Sequence, residues 1–260
     1  MTNIEIIKDF FPPKILAFTT NRNNGFSDLR FKSFNLSPNV NDSKEAVKKN
    51  RTLIKQKLES DIVWMNQTHS TNVEFVSEHT ELVNADGLVS SNSNLACSVL
   101  TADCLPILAC TSNAKIIGAA HAGWKGLSSG ILENFYNTIL LKSLGFSGKL
   151  HASLDSSIYI WIGPSICKNC YEVGLDVKSS FPQPISTRTN FFKKNNSHKW
   201  NCDLKLIAKY ITKKFFKNYG NIPIKILIDN RCTYANKHSF FSFRRDGVTG
   251  RMASLIKFNK

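Results

Sequence analysis

Residues 95–124 read LACSVLTADCLPILACTSNAKIIGAAHAGW. Three runs of small and branched apolar residues, at 95–100, 107–110 and 115–121, are each of strand length and are separated by polar turn signals. The stretch therefore predicts consecutive β-strands rather than one buried helix. Working outward, similar runs at 14–19, 61–65, 73–76, 158–162 and 224–228 predict further strands. Between them the apolar spacing becomes helical. A first helix is predicted from a capping-box-like Asp42-Ser-Lys-Glu45 to about Leu58, a second from Ser128 or Ser129 to about Gly145, and a third from Asp203 to Gly220. Strands and helices mixed in this way, with no repeat, low-complexity tract or Pro/Ser linker, give an α/β chain, and one domain spanning 1–260 is its simplest organisation.

The 260 residues are 42% hydrophobic and 20% charged, which suffices for a full core and excludes a disordered or fibrous chain. An excess of 34 Lys+Arg over 19 Asp+Glu gives a net charge of +15 and draws attention to polyanions. On the third helix, however, Lys209, Lys213 and Lys217 fall away from the stripe Leu204, Ile207, Ile211 and Phe215. Much of the charge thus sits on solvated faces, and neither a nucleic-acid nor a membrane partner is expected. No apolar run is long enough to span a bilayer, and the N-terminus lacks the basic and apolar regions of a leader, so a cytoplasmic protein is expected. Seven cysteines read as reduced thiols rather than a disulfide framework. Cys167-Lys-Asn-Cys170 has zinc-knuckle spacing, but without a second such pair a structural zinc ribbon is not expected.

Three polar groups follow strand-like runs: His69 in Asn66-Gln-Thr-His-Ser70, Cys104 in Thr101-Ala-Asp-Cys104, and His121 in Ala119-Ala-His-Ala-Gly-Trp124. Imidazole and thiolate are zinc ligands, and three protein ligands with one open position describe a catalytic zinc site, although a lone His or Cys at a strand end is more often packed or hydrogen-bonded. Arg51 interrupts the apolar stripe of the first helix, Val47, Ile54 and Leu58, so its guanidinium either snorkels from the rim of the core or meets an anion. Lys125 and the glycines around it precede a helix start, which is a turn or an anion site. Near the C-terminus Arg244 and Arg245 adjoin Asp246; in an extended segment only one of the two faces a given side, and it is either an ion-pair partner or a phosphate or carboxylate clamp.

From about Thr19 to Ile256 the chain resembles the YfiH-type family, also called laccase-domain or multicopper polyphenol oxidase-like, which is regarded as a family of metal-dependent purine nucleoside phosphorylases. The likeness rests on Thr20-Asn-Arg-Asn-Asn-Gly-Phe-Ser27, Asn50-Arg51, Asn66-Gln-Thr-His69, Ala85-Asp-Gly87, Thr101-Ala-Asp-Cys104, His121-Ala-Gly-Trp124, Ile162-Gly-Pro-Ser165, Cys170-Tyr-Glu-Val-Gly174, Cys232-Thr-Tyr234, and Ser242-Phe-Arg-Arg-Asp-Gly247 through Thr249-Gly-Arg-Met252, in that order. It implies a single-domain, four-layer α/β/β/α sandwich with mixed sheets and a zinc, or a copper in its place, held by His69, Cys104 and His121. It implies purine nucleosides and inorganic phosphate as substrates of a monomer or homodimer. Inosine or adenosine, and methylthioadenosine among the candidates, would give free base and ribose 1-phosphate, with an accompanying adenosine deaminase activity. In this reading Arg51 and Arg244 bind phosphate and act in catalysis, Lys125 and Asn35 add substrate or phosphate contacts, and Asp103 is a general base, an orienter of a ligating histidine or a brace for its own loop. The family pattern Asn-Leu-Gly-x-His-Val-Gly-Asp stands here as Asn35-Leu-Ser-Pro-Asn-Val-Asn-Asp42, so Asn39 occupies the place of a histidine.

Six histidines, none paired as His-x-His, exclude a full multicopper oxidase cluster, which needs about ten, and leave room for polyphenol oxidase chemistry only on a single adventitious copper. Two rivals belong to other classes. A metal-free thiol hydrolase would use Cys104 as nucleophile and His121 or His69 as base. A non-enzymatic nucleic-acid binder would rely on the net charge, but no binding module supports it.

Overall fold

The computed structural model describes residues 3–143, 157–195 and 198–259. Among these the strands are β1 (Ile4–Ile6), β2 (Ile15–Thr20), β3 (Asp61–Met65), β4 (Val73–Val76), β5 (Leu82–Val83), β6 (Gly87–Ser90), β7 (Leu95–Thr101), β8 (Leu105–Thr111), β9 (Ile117–Ala122), β10 (Ile158–Ile162), β11 (Glu172–Val173), β12 (Phe192–Lys194), β13 (Trp200–Cys202), β14 (Ile224–Ile228) and β15 (Met252–Phe258). The helices are α1 (Lys44–Leu58), α2 (Trp124–Ser129), α3 (Ile131–Ser143), α4 (Leu175–Ser180), α5 (Leu204–Asn218) and α6 (Phe243–Asp246).

The stretch 95–124 yields three strands buried along their whole length, because each of them is covered on both faces. They belong to different sheets. β7 lies in a sheet of order β1-β2-β15-β7-β3-β5, and β8 and β9 lie in one of order β14-β10-β8-β9-β6-β4. Both sheets mix parallel and antiparallel pairs. Their inner faces meet through Val63, Cys97, Val99 and Ile256 from the first and Leu88, Leu108, Ile117 and Trp161 from the second. The outer face of the first sheet packs Phe18, Ile62, Leu100 and Leu255 against Ile54 and Leu58 of α1. The outer face of the second packs Ile107, Ala120 and Ile160 against α3 and α5 through Phe135, Tyr136, Ile207 and Phe215. The result is an α/β/β/α sandwich, as the resemblance implied, with the small sheet β11-β13-β12 added beside the second helical layer.

Local chemistry explains the helix ends. Ser43 caps α1 by accepting the Ala46 N–H, and Asp203 caps α5 by accepting the Leu206 N–H at 3.0 Å. The chain beyond Ser129 differs from the sequence expectation. A separate short helix, α2, already starts at Trp124, and Gly130 at φ 102° turns the chain before α3 begins. The predicted end near Gly145 lies outside the described residues. The segment around Arg244 and Arg245 is a helical turn rather than extended, because Ser242 accepts the Arg245 N–H and caps it. β15, which the sequence reading did not predict, is a buried strand between β2 and β7.

The register of these strands assembles the site. Pro106 of β8 stands opposite His121 of β9, and Gly87 of β6 opposite Ala120, so Cys104, His121 and Asp86 converge at one end of the second sheet. The Thr101-Ala-Asp-Cys104 turn is the link that carries the chain from the first sheet to the second.

Candidate active site

Asp86, fully buried in the turn before β6, organises the two histidines. Its carboxylate accepts the backbone N–H groups of Thr68 at 3.1 Å, His69 at 3.1 Å and Ser70 at 2.6 Å, and the Ser70 hydroxyl at 2.7 Å. These bonds hold His69 in the left-handed region at φ 61°, a conformation that costs a non-glycine residue about 1 kcal/mol or more. Asp86 Oδ1 also lies 2.8 Å from His121 Nδ1. Burial alone would raise the Asp86 carboxyl, but the hydrogen bonds and charge from His121 and those from Ser70 together hold it near a pKa of about 2. An ionised carboxylate only accepts, so His121 Nδ1 carries a proton and donates it, which leaves Nε2 as the ring nitrogen available to a metal.

That nitrogen faces Cys104. Its Sγ lies 3.9 Å from His69 Nε2, and one ligand atom from each of His69, Cys104 and His121 falls within 4.8 Å of the other two. Without a metal, burial pushes the thiol up, and the neighbouring His121 and His69 outweigh it to bring its pKa to about 6; burial pushes His121 down, and Cys104 and Asp86 bring it to about 9. Two imidazole nitrogens aimed at one thiolate form a soft, three-ligand set that could hold a metal ion. Gly123 is fitted to the cluster, since a Cβ there would come 2.8 Å from His69 Cδ2 and 3.0 Å from Cys104 Sγ.

The cluster opens into a cleft of about 460 Å³ whose lining includes Trp124, Tyr171, Phe243 and three arginines, Arg51, Arg244 and Arg251. Arg51 donates from Nε to the Leu36 carbonyl at 2.9 Å and lies 4.0 Å over the Trp64 ring; burial, only partly countered by Glu81, lowers its pKa to about 10. Arg244 donates from one guanidinium nitrogen to the Glu172 carbonyl at 2.6 Å and lies 4.9 Å from the centre of the Tyr171 ring. Arg245 turns away, bonded to Asp246 and to the carbonyls of Thr233, Tyr234 and Phe240.

The remaining sequence candidates have other surroundings. Asp103 is buried at φ 90° and accepts from the Thr233 hydroxyl at 2.6 Å, the Ser242 hydroxyl at 3.0 Å and the Arg244 N–H at 2.7 Å. It ties its own turn to two segments, the loop at Thr233 and the helical turn at 242–244; the carboxylate that orients His121 is Asp86. Asn35 is fully buried, with its amide bonded to Ser37, Asp42 and the Arg251 N–H, and it does not line the cleft. Lys125 is exposed, with its ammonium 5.6 Å over the Trp124 ring, and also lies outside the lining. Asn39 is on the rim. Sequence reasoning gave no role to Asp86 or Arg251, although both stand inside quoted motifs, Ala85-Asp-Gly87 and Thr249-Gly-Arg-Met252.

Residues 16–259 match the family model described as multi-copper polyphenol oxidoreductase laccase. The chain belongs to this family. A Haemophilus influenzae relative named purine nucleoside phosphorylase is 36% identical over 252 residues, covering 95% of this chain and 96% of its own. An Escherichia coli K12 relative named purine nucleoside phosphorylase YfiH is 31% identical, covering 94% of each. The crystal structure of a Neisseria meningitidis family member superposes with a TM-score of 0.86 at 32% identity over the full length of both chains. The family's description names copper; among the described residues, His69 and His121 are the histidines that reach the cluster. No helix among the described residues is long and apolar enough to cross a membrane.

Proposed function

We propose that this chain is a metal-dependent purine nucleoside phosphorylase that cleaves inosine or adenosine with phosphate to the free base and ribose 1-phosphate, with zinc as the metal and adenosine deamination as an accompanying activity. The observation that carries the reading is the convergence of three arginines, three aromatic rings and a His-Cys-His set on one cleft, whose volume is in the range of small-ligand pockets. The names of the similar proteins support it.

In this reading Arg51, Arg244 and Arg251 bind the phosphate dianion and hold it in line with C1′, where positioning and charge stabilisation accomplish most of the work. Trp124, Tyr171 and Phe243 supply faces for the purine and exclude water from the cleavage site. Asp103 fixes the backbone of Arg244, and Asp86 keeps the proton on His121 Nδ1. His69, Cys104 and His121 would hold the metal, which when bound would supply Lewis acidity to the cleft.

Zinc-loaded protein incubated with inosine is expected to release hypoxanthine only when inorganic phosphate is present, as read by chromatography. Arg51→Gln is expected to lower kcat/KM for phosphate by on the order of 100-fold. Full activity in that variant, or equal release without phosphate, would refute the assignment.

The row Asp86, His121, Cys104 also has the order of a Cys-His-Asp nucleophile, with the thiol pKa drawn to about 6, which favours the thiol hydrolase as second reading. The two part on metal content and alkylation. A metal held through Cys104 protects the thiol, whereas a catalytic thiolate reacts rapidly.

A further inference from the structure

Away from the cleft, Cys167, Cys170 and Cys232 bring their sulfurs within 4.8 Å of one another. We propose that these three cysteines form a second metal site, for a thiophilic divalent cation of the zinc class, which ties the loop after β10 to the loop after β14. This inference does not rest on the proposed phosphorylase activity.

Cys167 and Cys170 flank a single turn of 3-10 helix in which the Cys170 N–H donates to the Cys167 carbonyl at 3.0 Å, so a CxxC segment presents both thiols to one side. The third sulfur arrives through tertiary structure. Ser165 and Cys232 form a parallel bridge, and the Thr233 N–H donates to the Ser165 carbonyl at 3.1 Å, which lays the two loops side by side. Cys232 is buried, and its Sγ accepts the Cys167 N–H at 3.3 Å.

Charge points the same way. The Lys205 ammonium is bonded to the Asp229 and Arg231 carbonyls at 2.6 and 2.9 Å, and Lys205 lines the same pocket as Cys167. Three thiolates around one divalent cation leave a single negative charge, which this buried ammonium balances. Zn–S bonds of about 2.3 Å in a tetrahedral site put sulfurs roughly 3.8 Å apart, so closing on a cation needs a movement of about 1 Å at most. The fourth position is free for water or an anion. A pocket of about 300 Å³ lined in part by Cys167, Lys168, Lys205 and Asn230 adjoins the trio. A disulfide would use only two of the three sulfurs, and all three are free thiols in this structure.

The location gives the site a consequence. Tyr171, which lines the cleft, follows Cys170 directly, and Thr233, which bonds Asp103, follows Cys232 directly. A metal here would clamp together the two loops that support that wall of the cleft.

Two measurements on the full chain test the proposal. Reduced, metal-stripped protein saturated with zinc and freed of excess should carry two zinc ions per chain, with Cys167, Cys170 and Cys232 protected from iodoacetamide in peptide mass spectrometry. Cobalt(II) added to Cys104→Ser, which removes the sulfur of the cleft cluster, should still give the intense thiolate-to-cobalt charge-transfer band. Cys167→Ser, a substitution at a partly exposed position, should lose one of the two metal equivalents. One zinc per chain with unprotected cysteines, loss of the cobalt band in Cys104→Ser, or a disulfide formed within the trio in the presence of zinc would overturn it. The zinc count and thiol protection need no variant, so they decide the matter even if a substitution impairs folding.

Discussion

At the scale of single residues, the candidate site depends on a carboxylate that touches no substrate. Asp86 fixes both the backbone of His69 and the ring of His121, so Asp86→Asn replaces an obligate acceptor by an amide that cannot satisfy His121 Nδ1–H and the 68–70 backbone together. Loss of such a partner typically costs a metal site about 10–100-fold in affinity, and that is the expected outcome, checked by competition with a chromophoric chelator. An unchanged affinity would mean that His121 is held by packing alone. The contrast with Asp103 is instructive. Both are buried carboxylates beside a ligand, but Asp103 faces Thr233, Ser242 and the Arg244 N–H, whereas Asp86 faces the imidazole. Proximity in sequence favoured Asp103; the pairing of β6 with β9 brought in Asp86 from 35 residues away.

At the scale of elements, the short helix α6 decides which arginine meets the cleft. Its turn sends Arg244 toward Tyr171 and Arg245 toward Asp246 and three carbonyls. Burial raises the Asp246 carboxyl, but the hydrogen bonds and charge of Arg245, with that of Arg22, bring it below its usual value. A carboxylate depressed in the folded state contributes stability above its unfolded pKa of about 4, and that contribution is lost as pH falls through the folded value. The stability gap between the parent chain and Asp246→Asn is therefore expected to narrow as pH drops below about 4, as read from urea unfolding at a series of pH values. A gap independent of pH would show that the ion pair does not hold α6. The same turn separates the two arginines as an extended segment would have done, but through a helical turn that Ser242 caps.

At the scale of the whole molecule, the cleft is an edge property of two sheets packed face to face. Leu108 is fully buried between them. Leu108→Ala is expected to cost about 2–5 kcal/mol, the range for a core leucine whose cavity cannot collapse. If 1–260 folds as one unit, circular dichroism and tryptophan fluorescence should report the same denaturant midpoint for the variant. Trp64 lies in the first sheet and Trp161 in the second. Separate transitions would show that the two sheets unfold independently.

The sequence by itself determined the local elements and the ligand chemistry. Apolar runs bounded by turn residues placed β7, β8 and β9, a capping signal at 42–45 and Asp203 opened α1 and α5, with the cap of α1 falling on Ser43 rather than Asp42, and His69, Cys104 and His121 could be named as ligand candidates through the family motifs they stand in. These signals are short-range, carried by neighbours along the chain. Only the tertiary structure decided what those residues face. β15 has no strong strand signature because Ser254 and Lys257 interrupt it, and it becomes a buried strand only when β2 and β7 pair with it. Arg251 reaches the cleft, Asn35 and Lys125 do not, and Cys232 joins Cys167 across 65 positions for the same reason. The direction of a side chain depends on sheet register and on the path of loops through space, and those are set by contacts between residues far apart in the chain.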